Sequence, residues 1–198
     1  MDSIKEEIGK FWNWFQINSK SLEKKEISHK HILELEQNLF AIHKLDWELG
    51  PGRSKPFMLS LSPNGDPNLF ELTKQIVEEA PLLDDWEFFP AKPPRDWNLV
   101  FQLSYEGREV LIDGKQWEFL AFKFKDGTFD LDFKPVEGIG LPDEYLNWAA
   151  TILVDGELGE DRRIRTIANI ATVKSWSEEH APSARLCEPG LLSRLLVT

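Results

Sequence analysis

The chain has 198 residues, 41% hydrophobic and 29% charged, enough to bury a substantial core in one compact unit. A net charge of -11 argues against a nucleic-acid ligand, because such binding rests on Lys and Arg neutralising phosphates. No stretch approaches the roughly 18 to 20 apolar residues of a membrane span, and the N-terminal MDSIKEEIGKFWNWF lacks the basic start and apolar run of a secretion signal.

In chain order, Ile4, Ile8, Phe11, Trp12 and Phe15 recur at helical spacing and predict an amphipathic helix, capped by Ser3 and ending near Asn18. Trp14 lies about 200° from Trp12 around such a helix. It must be covered by a second element or stand exposed as an anchor for a partner, and it is the first candidate binding residue. A second helix follows, with Ser28 a cap candidate within it or at its start and Ile32, Leu35, Leu39 and Ile42 as its stripe. Residues 1–44 thus form a helical pair.

Alternation at Leu45, Trp47 and Leu49, the loop GPGRSKP, and Phe57, Leu59 and Leu61 predict a hairpin. Asp66-Pro67 starts a helix with Leu69, Leu72, Thr73, Ile76 and Ala80 facing inward, and Trp86 and Phe88 mark a third strand. Pro90, Pro93 and Pro94 then make a crossover, closing a β-β-α-β half over residues 45–94. Residues 98–112 read as an extra edge strand or hairpin turning at Glu106-Gly107.

In WEFLAFKFKDGTFDLDFKPV, Asp126-Gly127 predicts a two-residue turn pairing Lys125 with Thr128. Phe124 then faces Phe129, Phe122 faces Leu131 and Leu120 faces Phe133 on the core side, with Lys123 opposite Asp130 on the other. A helix opening at Pro142 carries Tyr145, Trp148, Ala149, Ile152 and Leu153 on one face and runs through Asp155-Gly156 to Gly159. Ile164, Thr166, Ala168 and Ile170 alternate as the last strand. A second β-β-α-β half with an extra edge strand therefore spans residues 95–175. Residues 176–198 form a loop and a short helix built on Leu191, Leu192, Leu195 and Leu196. The whole is a single α+β domain, 1–198, with an antiparallel-rich sheet arrangement, and a cleft between the equivalent halves is the default ligand site.

Chemistry is sparse. His29 and His31, at i and i+2 on a helix, point apart and cannot share a metal, while His43 and His180 have no metal-ligand spacing, so no metal or cofactor is expected. The lone Cys187 cannot form an internal disulfide and sits beside Glu188, which raises a thiol pKa; one cysteine fits a reducing cytoplasm. Paired carboxylates such as Asp143-Glu144 and Glu160-Asp161 suit helix first turns. Asp161, Arg162, Arg163 and Arg165 form the densest basic run. On a strand, Arg163 and Arg165 would share a face and grip a carboxylate or phosphate, so they are the remaining candidate binding residues. No phosphate loop, dinucleotide fingerprint, nucleophile elbow or zinc-protease motif occurs.

The segments FWNWF followed by Asn18, APLLDDWEFF with its trailing KPP, and LVDGELGEDRR resemble an uncharacterised family of soluble bacterial proteins of unknown function. The resemblance implies no catalytic residues. The sequence thus points to a non-enzymatic, acidic, cytoplasmic binding or protein-interaction module, with a basic protein or a small anionic ligand as partner. The alternative is a small-molecule enzyme using carboxylates and Arg163 or Arg165 in the cleft.

Overall fold

The computed structural model describes residues 2–177, 184–185 and 190–196. Two compact units divide the chain, 1–92 and 93–198. The fold is α+β with an N-terminal helical pair.

The first unit opens with α1 (Asp2–Leu22) and α2 (His29–Ile42). The first helix runs past Asn18 because the apolar stripe continues to Leu22, which is buried. Asn18 and Ser19, poor helix formers, are accommodated by bonding back to Trp14 O and Gln16 O. Ser28 caps α2 by accepting from His31 N at 3.4 Å, and Leu35, Leu39 and Ile42 are buried. Next come β1 (Asp46–Pro51), β2 (Phe57–Ser62), α3 (Pro67–Glu78) and β3 (Trp86–Phe89). Asp66 caps α3 with Pro67 in its first turn. Phe70 replaces Leu69 and Leu72 as the large buried side chain of this helix, spaced with Thr73 and Ile76.

Strand β2 lies between antiparallel β1 and parallel β3, which explains why Met58 to Ser62 are buried on both faces. Its core is an aromatic cluster: Trp12 contacts Phe11, Phe15 and Phe88, and Phe15 meets Trp86 edge to face at 4.9 Å. Trp12 Nε1 donates to Ile76 O at 2.6 Å, so the indole is buried without an orphan donor.

In the second unit, β4 (Val100–Tyr105) and β5 (Arg108–Asp113) form a hairpin, with Glu106 and Gly107 both at positive φ as its two-residue turn requires. A 3-10 turn (Gly114–Gln116) leads to β6 (Glu118–Lys123), β7 (Phe129–Lys134), α4 (Asp143–Leu158), α5 (Glu160–Thr166), β8 (Ile167–Thr172), β9 (Ala184–Arg185) and α6 (Leu191–Leu195). The sheet order is β8-β7-β6-β9, with β7 antiparallel to β6 and parallel to β8. The order β6, β7, α4, β8 thus repeats the directions and neighbours of β1, β2, α3, β3.

Three expectations change here. The β6–β7 hairpin is shifted by one residue: Phe119 pairs with Phe133, Ala121 with Leu131, Phe122 with Asp130 and Lys123 with Phe129. Phe124 N donates to Thr128 O and Gly127 N to Phe124 O, so the loop has three residues with Gly127 at φ +89°, a bulge that inserts one residue more than the two-residue turn. Trp117 and Phe119 consequently enter the core with Phe129, Leu131 and Phe133, while Phe122 is half-buried and Phe124 exposed. The cross-strand ion pair is Lys134–Glu118 at 3.3 Å instead of Lys123–Asp130.

Second, residues 160–166 are helical, so the last strand begins at Ile167. Gly159 at φ +79° ends α4; Glu160 and Asp161 then occupy the first turn of α5 and Arg163 and Arg165 its last, the charge order a helix dipole favours. The apparent alternation at Ile164 and Thr166 is overridden by pairs at helical spacing, Glu160–Arg163 and Asp161–Arg165.

Third, Trp148 is 53% exposed, because the inner face of α4 centres on Ala149, Ala150, Leu153, Val154 and Glu157. Within 176–198, β9 adds a short strand beside β6, and α6 closes on Leu192 and Leu196. His180 and Cys187 lie outside the described residues.

Candidate functional site

The arginine run lies on α5 and is committed internally. Arg163 ion-pairs with Asp155 and, at 3.6 Å, with the fully buried Glu160. Arg165 pairs with Asp161 at 2.6 Å. Arg162 reaches the end of α6, donating to Leu196 O at 2.5 Å and to Ser193 O at 3.4 Å. Helical geometry separates Arg163 from Arg165, so the two do not form the shared strand face that their alternation suggested.

Glu157, 5% exposed, accepts from Gly190 N at 2.9 Å and Leu192 N at 3.4 Å, capping α6. Burial pushes its carboxyl above the ordinary range, and the α6 N–H groups offset part of that rise. Each of these carboxylates faces a partner within the fold, which is the arrangement of a structural joint.

Trp14 is half-buried. Its Nε1 donates to Glu34 Oε2 of α2 at 3.3 Å, and its ring packs against the first unit's core. Of the histidines, His31 contacts Ser28 Oγ at 2.7 Å at the start of α2, and His29 and His43 are exposed. Among the described residues no group of three His, Cys, Asp or Glu side chains is placed to hold a metal ion, and no helix is long and apolar enough to cross a membrane.

A concave site forms elsewhere in the second unit, at the carboxyl ends of the parallel strands β7 and β8 and the start of α4. The groove, about 410 Å³, is walled by the connection Pro135 to Leu141 and closed by Leu146, Thr172 and Val173. Gly138 and Gly140, at φ +82° and +73°, let that connection turn sharply enough to leave its backbone along the wall. Asn147 Oδ1 accepts from both Thr172 N and Thr172 Oγ1 at 2.7 Å, fixing the end of β8 to α4. The rim carries Glu137, Asp143 and Lys174, the last two paired at 3.2 Å.

Beside this groove runs a chain of aromatic rings. Tyr105, at the end of β4, meets Tyr145 of α4 at 4.9 Å and 67°, and Tyr145 meets the exposed Trp148 at 6.1 Å and 70°. The Arg108 guanidinium lies 5.5 Å from the Tyr105 ring centre and donates to Gly140 O at 3.2 Å, linking the rings to the groove wall. Hydrogen bonding to the Glu106 carboxylate holds the Tyr105 hydroxyl above its ordinary pKa.

Neither the groove nor Trp148 stood out in the sequence. Both depend on the rotation of α4 about its axis, which the dense apolar run YLNWAATILV leaves ambiguous. The detectable signal was the glycine pair in EGIG, whose positive φ angles shape the wall.

Comparison with protein-family models, with curated proteins and with solved structures yields no match.

Proposed function

We propose that the protein is a non-enzymatic binding module whose second unit engages a basic segment of a partner protein along the groove beside α4, and that it works in the cytoplasm. The observation that carries this reading is the groove's make-up: apolar walls from Val136, Ile139, Leu141 and Leu146, with the exposed carboxylate of Glu137 at the rim beside the Asp143–Lys174 pair. Apolar burial supplies affinity in such a groove, and carboxylates select and steer a cationic partner. The overall charge of -11 adds to that steering.

A small anionic ligand at Arg163 and Arg165 is disfavoured by the ion pairs those arginines already make. An enzymatic use of Asp155, Glu157 and Glu160 is disfavoured because their oxygens serve Arg163 and the α6 backbone. We propose, too, kinship with the uncharacterised bacterial family that the sequence resembles, a kinship that assigns no residue a role.

Affinity capture from the native host's lysate tests the reading when wild type is set beside a Val136→Asp, Glu137→Lys double variant. Wild type should retain basic proteins that salt releases and the variant does not retain. Retention of the same proteins by both, or of acidic proteins or nucleic acid by wild type, would refute it.

A further inference from the structure

We infer that the open edge of β4 pairs with the same edge of a second copy of this chain, joining the two hairpins into one antiparallel sheet about a two-fold axis at Gln102. This surface goes beyond the groove reading and does not depend on it.

The backbone groups show that the edge is open. Tyr105 and Arg108 face each other across the turn, and Gly114 N donates to Leu99 O at the far end of the hairpin. Alternation then directs the N–H and C=O groups of Phe101, Leu103 and Tyr105 to β5, and those of Val100, Gln102 and Ser104 outward. Among the described residues those outward groups have no partner, and Gln102 and Ser104 are exposed. A sheet that stops at β4 and β5 gains much from added strands, because a lone hairpin is marginally stable.

Edge strands are ordinarily guarded against such pairing by charge, proline, shortness or irregularity. The other described edges each have a guard. Strand β1 carries Asp46, Glu48 and Pro51, β3 carries Glu87 and runs into Pro90, and β5 carries Arg108, Glu109 and Asp113. Strand β9 is only Ala184–Arg185; β8 slips register against β7 between Phe129 and Asp130, and Asn147 occupies its Thr172 N. In β4, Val-Phe-Gln-Leu-Ser-Tyr, none of these guards is present.

The make-up of the edge selects its occupant. Copies of a chain with net charge -11 repel one another, so they meet best where charge is absent, and residues 97–105 carry none. In antiparallel pairing centred on Gln102, Val100 faces Ser104 of the second copy and Gln102 faces its own counterpart, each outward pair exchanging both backbone bonds. Phe101 then faces Leu103 of the second copy on the side of the hairpin that packs against the core. Every pair sets a larger side chain against a smaller one, except at the axis, where the two Gln102 amides bond each other. The contact uses the same patch on both copies and closes at the dimer.

Sedimentation velocity of the full chain, with amide exchange followed by NMR, tests the pairing. So small an interface predicts a weak dimer, half formed at about 100 µM, with the Gln102 and Ser104 amides protected only as concentration rises. Gln102→Lys and Gln102→Glu each set like charges across the axis and should weaken the dimer about fivefold or more. Neither should move the unfolding midpoint of the dilute monomer. An equal mixture of the two variants should regain the wild-type dimer, because position 102 then faces an opposite charge. A wild type still monomeric at about 1 mM, a dimer indifferent to both substitutions, or a mixture that regains nothing would each overturn the inference. Uptake of a synthetic peptide of alternating Thr and Val at these two amides, by a wild type that stays monomeric, would overturn it in favour of a foreign strand.

Discussion

Replacing Gly156 by alanine reverses the sign usual for a helix interior. In α4 the exchange ordinarily gains about 1 kcal/mol from backbone entropy and propensity. Here a Cβ on residue 156 would stand 2.2 Å from Trp97 Cζ2 and 2.6 Å from Trp97 Cε2. To reach ordinary contact at 3.4 Å the indole must withdraw by about 1.2 Å. A rigid ring that also stacks on Phe101 at 5.7 Å, close to the bond from Arg95 N to Gly156 O, has little freedom to do so. Overpacking of this kind costs about 1 to 3 kcal/mol beyond what it gains, so Gly156→Ala should destabilise by about 2 kcal/mol. In a Trp97→Ala background the obstruction is gone, and the same change should stabilise by about 1 kcal/mol, a coupling of about 3 kcal/mol in the double-mutant cycle. Urea unfolding followed by circular dichroism measures all four corners. If Asp155-Gly156 were instead a hairpin turn needing positive φ, alanine would cost as much without Trp97 as with it. That result would refute a continuous α4 and the placement of Trp148 derived from it.

The shifted β6–β7 register predicts that Phe119→Ala, at a fully buried position, costs about 3 to 5 kcal/mol, while Phe122→Ala costs about 1; equal losses in urea unfolding would restore the two-residue turn. Two glutamates predict opposite pH limbs. Glu87 is held below its ordinary value near 4.5, first by Ser54 and also by the N–H groups of Arg53 and Ser54, so its stabilisation is present at neutral pH and lost as pH falls below that value. Glu157 is held above 4.5 by burial, so the folded state binds the extra proton and stability declines as pH rises from 4.5 through its raised value. Glu87→Gln should flatten the acid limb and Glu157→Gln the limb above it, read from unfolding free energy against pH; unchanged limbs would discard these assignments.

What the sequence made legible follows from local physics. Helix caps at Ser28 and Asp66 and the paired glutamate and glycine at 106–107 specify their elements through short-range bonds, and the structure keeps them there. The chain does turn at Asp126-Gly127, but the one-residue difference in loop length is decided by the strands on either side: Trp117 and Phe119 bury more ring surface than Leu120 and Phe122 would, and the bulge at Gly127 admits them. At Arg163 and Arg165, alternation and helical charge pairing competed over the same residues, and the positive-φ break at Gly159 resolved them as a new helix. The candidate surface was hidden for a different reason. Apart from Gly138 and Gly140, no residue in it is unusual by type or spacing; its content is the concavity and the tilt of rings from separate elements, which sequence alone does not encode locally.

The two β-β-α-β segments show where that concavity comes from. In the first, Pro63 to Asp66 carries β2 directly into α3, and Asp66 closes the helix start with bonds to Asn68 N and Leu69 N. In the second, the corresponding connection from β7 to α4 runs from Pro135 to Pro142, and Pro142 provides no side-chain cap. Both connections begin with a proline just after a strand and reach a proline at the helix start, so the longer one must bow outward between similar end points. Gly138 and Gly140 permit the bow, Leu141 turns back into the core, and Val136 is left on the surface. The groove is therefore a local elaboration of a strand–helix connection that elsewhere in the chain is only a turn. Loops tolerate such growth because closure entropy rises slowly with length, so a binding surface can be added at this position without altering the packing of β7, β8 and α4 on which both the groove and the Tyr105–Tyr145–Trp148 chain depend.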